Sequence, residues 1–328
     1  MINMRRTIAW AVGFLFAIVP KLANATQSDS SEHHSPPIQF SQSLFVGGAT
    51  IQIDLAEGPL DLPRSQLVER IRAAAHAVTI YYGRFPVPRA KILVIPVAGR
   101  HGVLQGTTWG NMDGFPALLR IRIGQSTSTE ELLGDWIITH ELVHTALPSL
   151  PEDQHWLEEG LASYIEPIAR VQAGELAAER IWADMIRGMP NGEPAPGDRG
   201  LNNTHTWGRT YWGGALFCLM ADIQIRQQTG NRKGLQDALR AIVAAGGAID
   251  KEWPLPRILN IGDRATGSHV LEEMYAQWGE TPVKVNLSET WSQLGIDDEE
   301  NRLKFDPKAP LATIRSAITD PAKSSAIR

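Results

Sequence analysis

Up to Gly124 the apolar residues of this chain fall in short strand-like runs around one helical stretch. Beyond Gly124 almost every apolar pattern has helical spacing. A sequence divided in this way predicts a sheet built first and a largely helical part after it. In the first part, Val46, Ile51, Ile53 and Leu55 alternate within Phe45 to Leu55 around Gly47-Gly48, which predicts two short strands or one bent strand. Leu67, Ile71, Ala74, Ala75 and Val78 give Ser65 to Tyr82 a helical period. Lys91 to Val97 has the pattern of a short buried strand, and Ala117 to Ile123 alternates as an edge or half-buried strand does. Strand, helix, strand, strand is most economically a mixed sheet with a helix on one face.

In the second part, Thr127 or Ser128 can cap a helix entered through Glu130 and Glu131 and carried to about Ala146. Pro148 and Pro151 break it. A second helix is expected from about His155 to Ile186, and Asn191 to Asn203 reads as loop. Further helices follow at about Trp207–Gln228, Lys233–Ala245 and His269–Trp278. Short ones are expected at Ser288–Leu294 and Pro310–Ile318. The chain shows no internal repeat.

The N-terminus is of a different kind. Arg5 and Arg6 precede an apolar run, Thr7 to Pro20, that is short for a bilayer span, and Ala23-Asn24-Ala25 supplies the small residues of a cleavage site. Residues 1–25 therefore read as a secretory signal peptide cut near Ala25, rather than as a retained anchor. The protein is expected in the periplasm or secreted, with no membrane span in the mature chain. Residues 26–37, with His33 and His34, read as a polar tether. Removing Arg5, Arg6 and Lys21 leaves 28 basic and 36 acidic residues, a net charge of about −8. That balance argues against nucleic acid as a partner. The single cysteine, Cys218, excludes an internal disulfide and lies in an apolar run, as a core residue would.

The chemistry is concentrated where the two patterns meet. His140 and His144 are four residues apart on an expected helix, a spacing that lets two imidazoles reach one ion. Glu141 lies one step around the helix, beside such an ion, where it can accept a proton from water. Catalytic zinc takes three protein ligands and leaves a position open. The segment Trp156-Leu157-Glu158-Glu159-Gly160 offers the third. Glu159 is preferred because Gly160 permits close approach of the two helices; Glu158 is the alternative and His155 a more distant one.

The pair His140-Glu141-Leu142-Val143-His144 and Trp156-Leu157-Glu158-Glu159-Gly160-Leu161-Ala162-Ser163-Tyr164 resembles the gluzincin metallopeptidases, distantly the M1 aminopeptidase group. The likeness spans roughly residues 90–230, with a shorter connection between His144 and Glu159 than is usual there. It implies an α+β, thermolysin-like zincin domain with a small mixed sheet and a largely helical C-terminal part. By this resemblance His140, His144 and Glu159 hold one zinc per chain, Glu141 is the general base, and Tyr211, in Tyr211-Trp212-Gly213-Gly214, donates to the oxyanion. Residues 38–150 would be a sheet-bearing subdomain ending in the histidine helix, and residues 151–328 a helical subdomain completing the metal site. The substrate would be a peptide or protein. A catalytically inactive metal-bearing envelope module and a zinc hydrolase of non-peptide amides or esters are the other readings.

Several residues stay open at this point. Arg209 either supports the site or is a surface charge, His205 could enter the site, and Ser163 is a candidate partner for a ligand histidine. Gly110-Asn111-Met112-Asp113-Gly114 partly matches the family's amine-reading segment but is also a hairpin turn. The strand Ala117–Ile123 could pair with an extended peptide.

Overall fold

The computed structural model describes residues 36–299 and 302–320. The expected signal segment and nearly all of the tether, His33 and His34 included, lie outside them.

The sheet has five strands. β1 (Ile38–Val46) and β2 (Ala49–Ala56) form a hairpin through Gly47-Gly48, both at positive φ, the conformation a two-residue hairpin turn requires. α1 (Arg64–Tyr82) follows and leads to β3 (Arg89–Val97). β4 (Val103–Met112) and β5 (Phe115–Gly124) make a second hairpin. The order is β1-β2-β3-β5-β4, with β2, β3 and β5 parallel and the outer strands antiparallel.

β4 has no counterpart in the sequence reading. Its glycines and threonines break the alternation that marks a strand, and it is held by register against β5 (Thr108 opposite Leu119). Its presence makes β5, the strand of Ala117–Ile123, an inner strand between β3 and β4. The edge strands are β1 and β4, so Ala117–Ile123 has no open side for an extended peptide, and the assignment of that role to it is corrected.

The helical part is more interrupted than its periodicity implied. Ser128 caps α2 (Thr129–Gly134) with a reciprocal bond from Glu131, but the helix stops there. Asp135 then accepts hydrogen bonds from the backbone N–H groups of Ile137 and Ile138 and starts α3 (Ile137–Val143), which tightens into a 3₁₀ turn at His144–Ala146. The carbonyl of Asp135 accepts from Arg70 of α1 and from Arg170 of α4 (His155–Gln172), both at 2.9 Å. Arg170 is paired with Glu166 at 3.0 Å. The start of α3 is thus tied to the two helices it packs between, and burying these guanidiniums without such partners would be costly.

The long helix expected to Ile186 breaks at Gly174, at φ 78°, and resumes as α5 (Ala178–Gly188). A π-helical turn at Gly208–Gly213 opens α6 (Gly214–Gln228), and α7 (Leu235–Ala244), α8 (Leu255–Thr266), α9 (Val270–Trp278) and α10 (Leu287–Leu294) follow. A small hairpin of β6 (Ile296–Glu299) and β7 (Arg302–Phe305) precedes α11 (Ala312–Thr319). The architecture is mixed α+β, a five-stranded mixed sheet with a largely helical remainder. From Pro36 onward it forms one unit around a continuous core. Among the described residues no helix is long and apolar enough to cross a membrane.

Candidate metal centre

α3 and α4 bring three side chains together. The rings of His140 and His144 meet edge to face, with centroids 4.9 Å apart. Oε2 of Glu159 lies 3.1 Å from Nε2 of His140 and 3.6 Å from Nε2 of His144. Donor atoms bound at about 2.0–2.1 Å to one tetrahedral ion stand roughly 3.3 Å apart, and the two separations bracket that value. The set of two imidazoles and one carboxylate is one that catalytic zinc uses, so these residues fit the ion.

The electrostatics point the same way. Burial alone would raise the carboxyl of Glu159, but His144 and His140 hold it well below the usual range. Burial alone would depress His144, but the facing Glu159 lifts it to about 9. The carboxylate is thus held ionised, the form in which it can act as a metal ligand.

Glu141 is also buried, beside the cluster. The hydroxyl of Thr108 on β4 donates to its Oε2 at 2.6 Å. Two residues earlier, a Cβ at Gly106 would lie 2.3 Å from Cγ of Glu141, so only glycine lets the strand pass this close. Gly106, Thr108 and Gly110 point to one face of β4. Nothing short-range in the sequence marks this contact, because β4 lacks the apolar alternation of a strand and is held by its pairing with β5.

Gly160 does permit a close approach, but to α6 and not to α3. A Cβ there would meet the backbone of Gly214 at 2.3 Å. The consequence is that α4 packs on the segment carrying Tyr211. Tyr211 lies on the π-helical turn, a local irregularity often found at functional positions. Its ring stacks on that of His140 with centroids 6.4 Å apart, and on Trp207 at 6.1 Å. Burial, and then the carboxylates Glu159 and Glu141, push its hydroxyl above its ordinary pKa, so it stays protonated as a hydrogen-bond donor.

The remaining candidates separate cleanly. Both oxygens of Glu158 are engaged elsewhere: its Oε2 meets Nδ1 of His155 at 2.8 Å and its Oε1 accepts from the Leu150 backbone N–H at 3.0 Å. Nε2 of His155 lies 3.3 Å from Oε1 of Glu159, the oxygen other than the one that meets the two histidines. Arg209 is no surface charge; it is buried against Asp198 at 2.7 Å and donates to the carbonyl of Gly192. His205 is exposed, Ser163 half-buried and Cys218 in the core. Asp113 and Gly114, both at positive φ, form the β4–β5 turn, and Asp113 lies 3.8 Å from Lys91. Gly110, Asn111 and Met112 are thus the end of β4, and Asp113-Gly114 is the hairpin turn into β5.

No family model and no curated protein matches the sequence. Solved structures match the fold. An aminopeptidase N family protein from Idiomarina loihiensis superposes with a TM-score of 0.56 at 13% identity, over 78% of this chain and 49% of its own. An M1 zinc metallopeptidase from Deinococcus radiodurans gives 0.49 at 14% identity, over 76% of this chain and 53% of its own. The chain thus spans about half the length of the structures it resembles. At such identities the first likeness shows a shared fold and nothing more.

Proposed function

We propose that the chain is an exported zinc-dependent peptidase of the gluzincin kind, holding one zinc through His140, His144 and Glu159. The observation that carries this reading is the convergence of the Glu159 carboxylate on both imidazoles with Glu141 beside them. Zinc there would polarise a scissile carbonyl and lower the pKa of a water molecule. Glu141 takes the proton of the attacking water on the oxygen that Thr108 does not engage, and passes it to the departing amine. The hydroxyl of Tyr211 donates to the carbonyl oxygen as negative charge develops on it, an interaction worth roughly 10²–10³ in rate. The free edge of β4, which passes Glu141, offers main-chain groups to an extended peptide or protein substrate. The thermolysin-like description of the domain belongs to the same proposal, and export rests on the N-terminal sequence alone.

The test is zinc stoichiometry of the purified protein combined with cleavage of a peptide library. The reading expects one zinc per chain and cleavage that stops when a chelator is added. Protein that takes up no zinc would sink it. Zinc without hydrolysis of any peptide would leave a binding module, and hydrolysis confined to small amides or esters would change the substrate class.

A further inference from the structure

A carboxylate can bind a metal through one oxygen or through both, and the choice decides how much of the ion is left for water and substrate. The two oxygens of Glu159 have different neighbours. Oε2 faces the imidazoles of α3, at 3.1 and 3.6 Å. Oε1 faces Nε2 of His155 at 3.3 Å. His155 and Glu159 are four apart on α4, so their side chains stack on one face of the helix. The other ring nitrogen of His155, Nδ1, lies 2.8 Å from Oε2 of Glu158, and Oε1 of Glu158 accepts from the backbone N–H of Leu150 at 3.0 Å. Both partners of the imidazole are carboxylates, which accept, so the ring donates.

From this geometry we infer that His155, braced by Glu158, is a positioning residue that clamps Oε1 of Glu159 and leaves Oε2 as the single oxygen offered to the ion. The inference rests on the metal reading above and adds residues to it. Leu150 lies in the short connection between His144 and Glu159. The same pair therefore fastens the loop between the two ligand helices to the first turn of α4. The clamp keeps the carboxylate from swinging both oxygens onto the metal, and so preserves the open corner that catalysis needs. Partners of this kind, which orient a ligand without touching the ion, change metal affinity about 10–100-fold when removed.

The experiment uses the full chain loaded with zinc, and separately with cobalt(II), in the wild type and in His155→Phe, His155→Gln and Glu158→Gln. Zinc release to an excess of chelator is timed, the cobalt visible spectrum is recorded, and thermal unfolding of the metal-free proteins controls for folding. In His155→Phe, zinc release should accelerate about 10–100-fold. The cobalt bands should weaken as the carboxylate engages with both oxygens and the coordination number rises. In His155→Gln, whose amide N–H still reaches Oε1, most of the loss should be recovered. Glu158→Gln should fall between the two. A His155→Phe protein that holds zinc as long as the wild type, with an unchanged cobalt spectrum, overturns the clamp and leaves the metal centre intact. A wild type that takes up no metal overturns the metal centre and the clamp together.

Discussion

Two clusters in this molecule have nearly the same composition and opposite electrostatic character. One is His140, His144 and Glu159; the other is Asp263, His269 and Glu272 at the corner between α8 and α9. Each brings carboxylate and imidazole donors within ion-binding distance of one another, and each has a carboxylate that is almost wholly buried. At the second cluster, the oxygens of Asp263 accept from the backbone N–H groups of Leu271 at 2.9 Å and Glu272 at 3.0 Å. These are the unpaired donors of the first turn of α9, a helix with no side-chain cap from its own N-cap residue, His269. Glu272 accepts from Asn260. Burial raises the pKa of Asp263, and the backbone donors only partly offset it. At Glu159 burial is opposed by imidazoles, and the pKa ends well below normal. Neutral amide dipoles answer the charge at one cluster and groups able to carry positive charge answer it at the other. Proximity of donor atoms is common to both clusters; the partners of the buried carboxylate are what differ.

The largest expected effect tests this contrast directly. Glu159→Ala should abolish zinc uptake in metal analysis, whereas Asp263→Ala should leave uptake at the wild-type level. The reverse pattern would invert the assignment. Next in size is Glu141→Gln, which should keep zinc and lose about 10²–10⁴ in turnover, as removal of a general base does. Retained turnover there would refute the base. Tyr211→Phe should cost about 10²–10³ in kcat with zinc unchanged. A rise in KM alone would recast Tyr211 as a substrate contact.

The parts legible in the sequence were those governed by local spacing. The four-residue interval of His140 and His144, the helix of α1, the buried pattern of β3 and the Ser128–Glu131 cap all follow from short-range rules, and the structure has them. What escaped depends on distant partners. β4 has no alternation of its own and exists by pairing with β5, so Thr108 and Gly106 were invisible as neighbours of Glu141. The break between α2 and α3 comes from Asp135 turning its side chain onto backbone donors, a choice that its links to Arg70 and Arg170 reinforce. α8 and the β6–β7 hairpin were likewise passed over. The contact of His155 with Glu159 was available as an interval of four on a helix, but nothing in the interval says which oxygen is engaged. Gly160 was singled out for the right property and the wrong neighbour, because a glycine announces close packing without naming its partner.

The smallest expected effect completes the comparison at the second cluster. If Asp263 is a cap supplied from a neighbouring helix, its removal strands two amide donors at the start of α9. Loss of a capping side chain costs about 0.5–2 kcal/mol. Asp263→Ala should therefore lower the thermal midpoint by a few degrees in a chain of this size. Zinc content and turnover should not move, since the first turn of α9 carries none of the proposed catalytic groups. His269→Ala, which removes the exposed imidazole and spares the cap, should leave the midpoint where it is. The pair of variants distinguishes a cap from a second metal site. A cap depends on Asp263 alone, whereas a metal site would lose stability with either residue and would regain part of it when divalent ions are added.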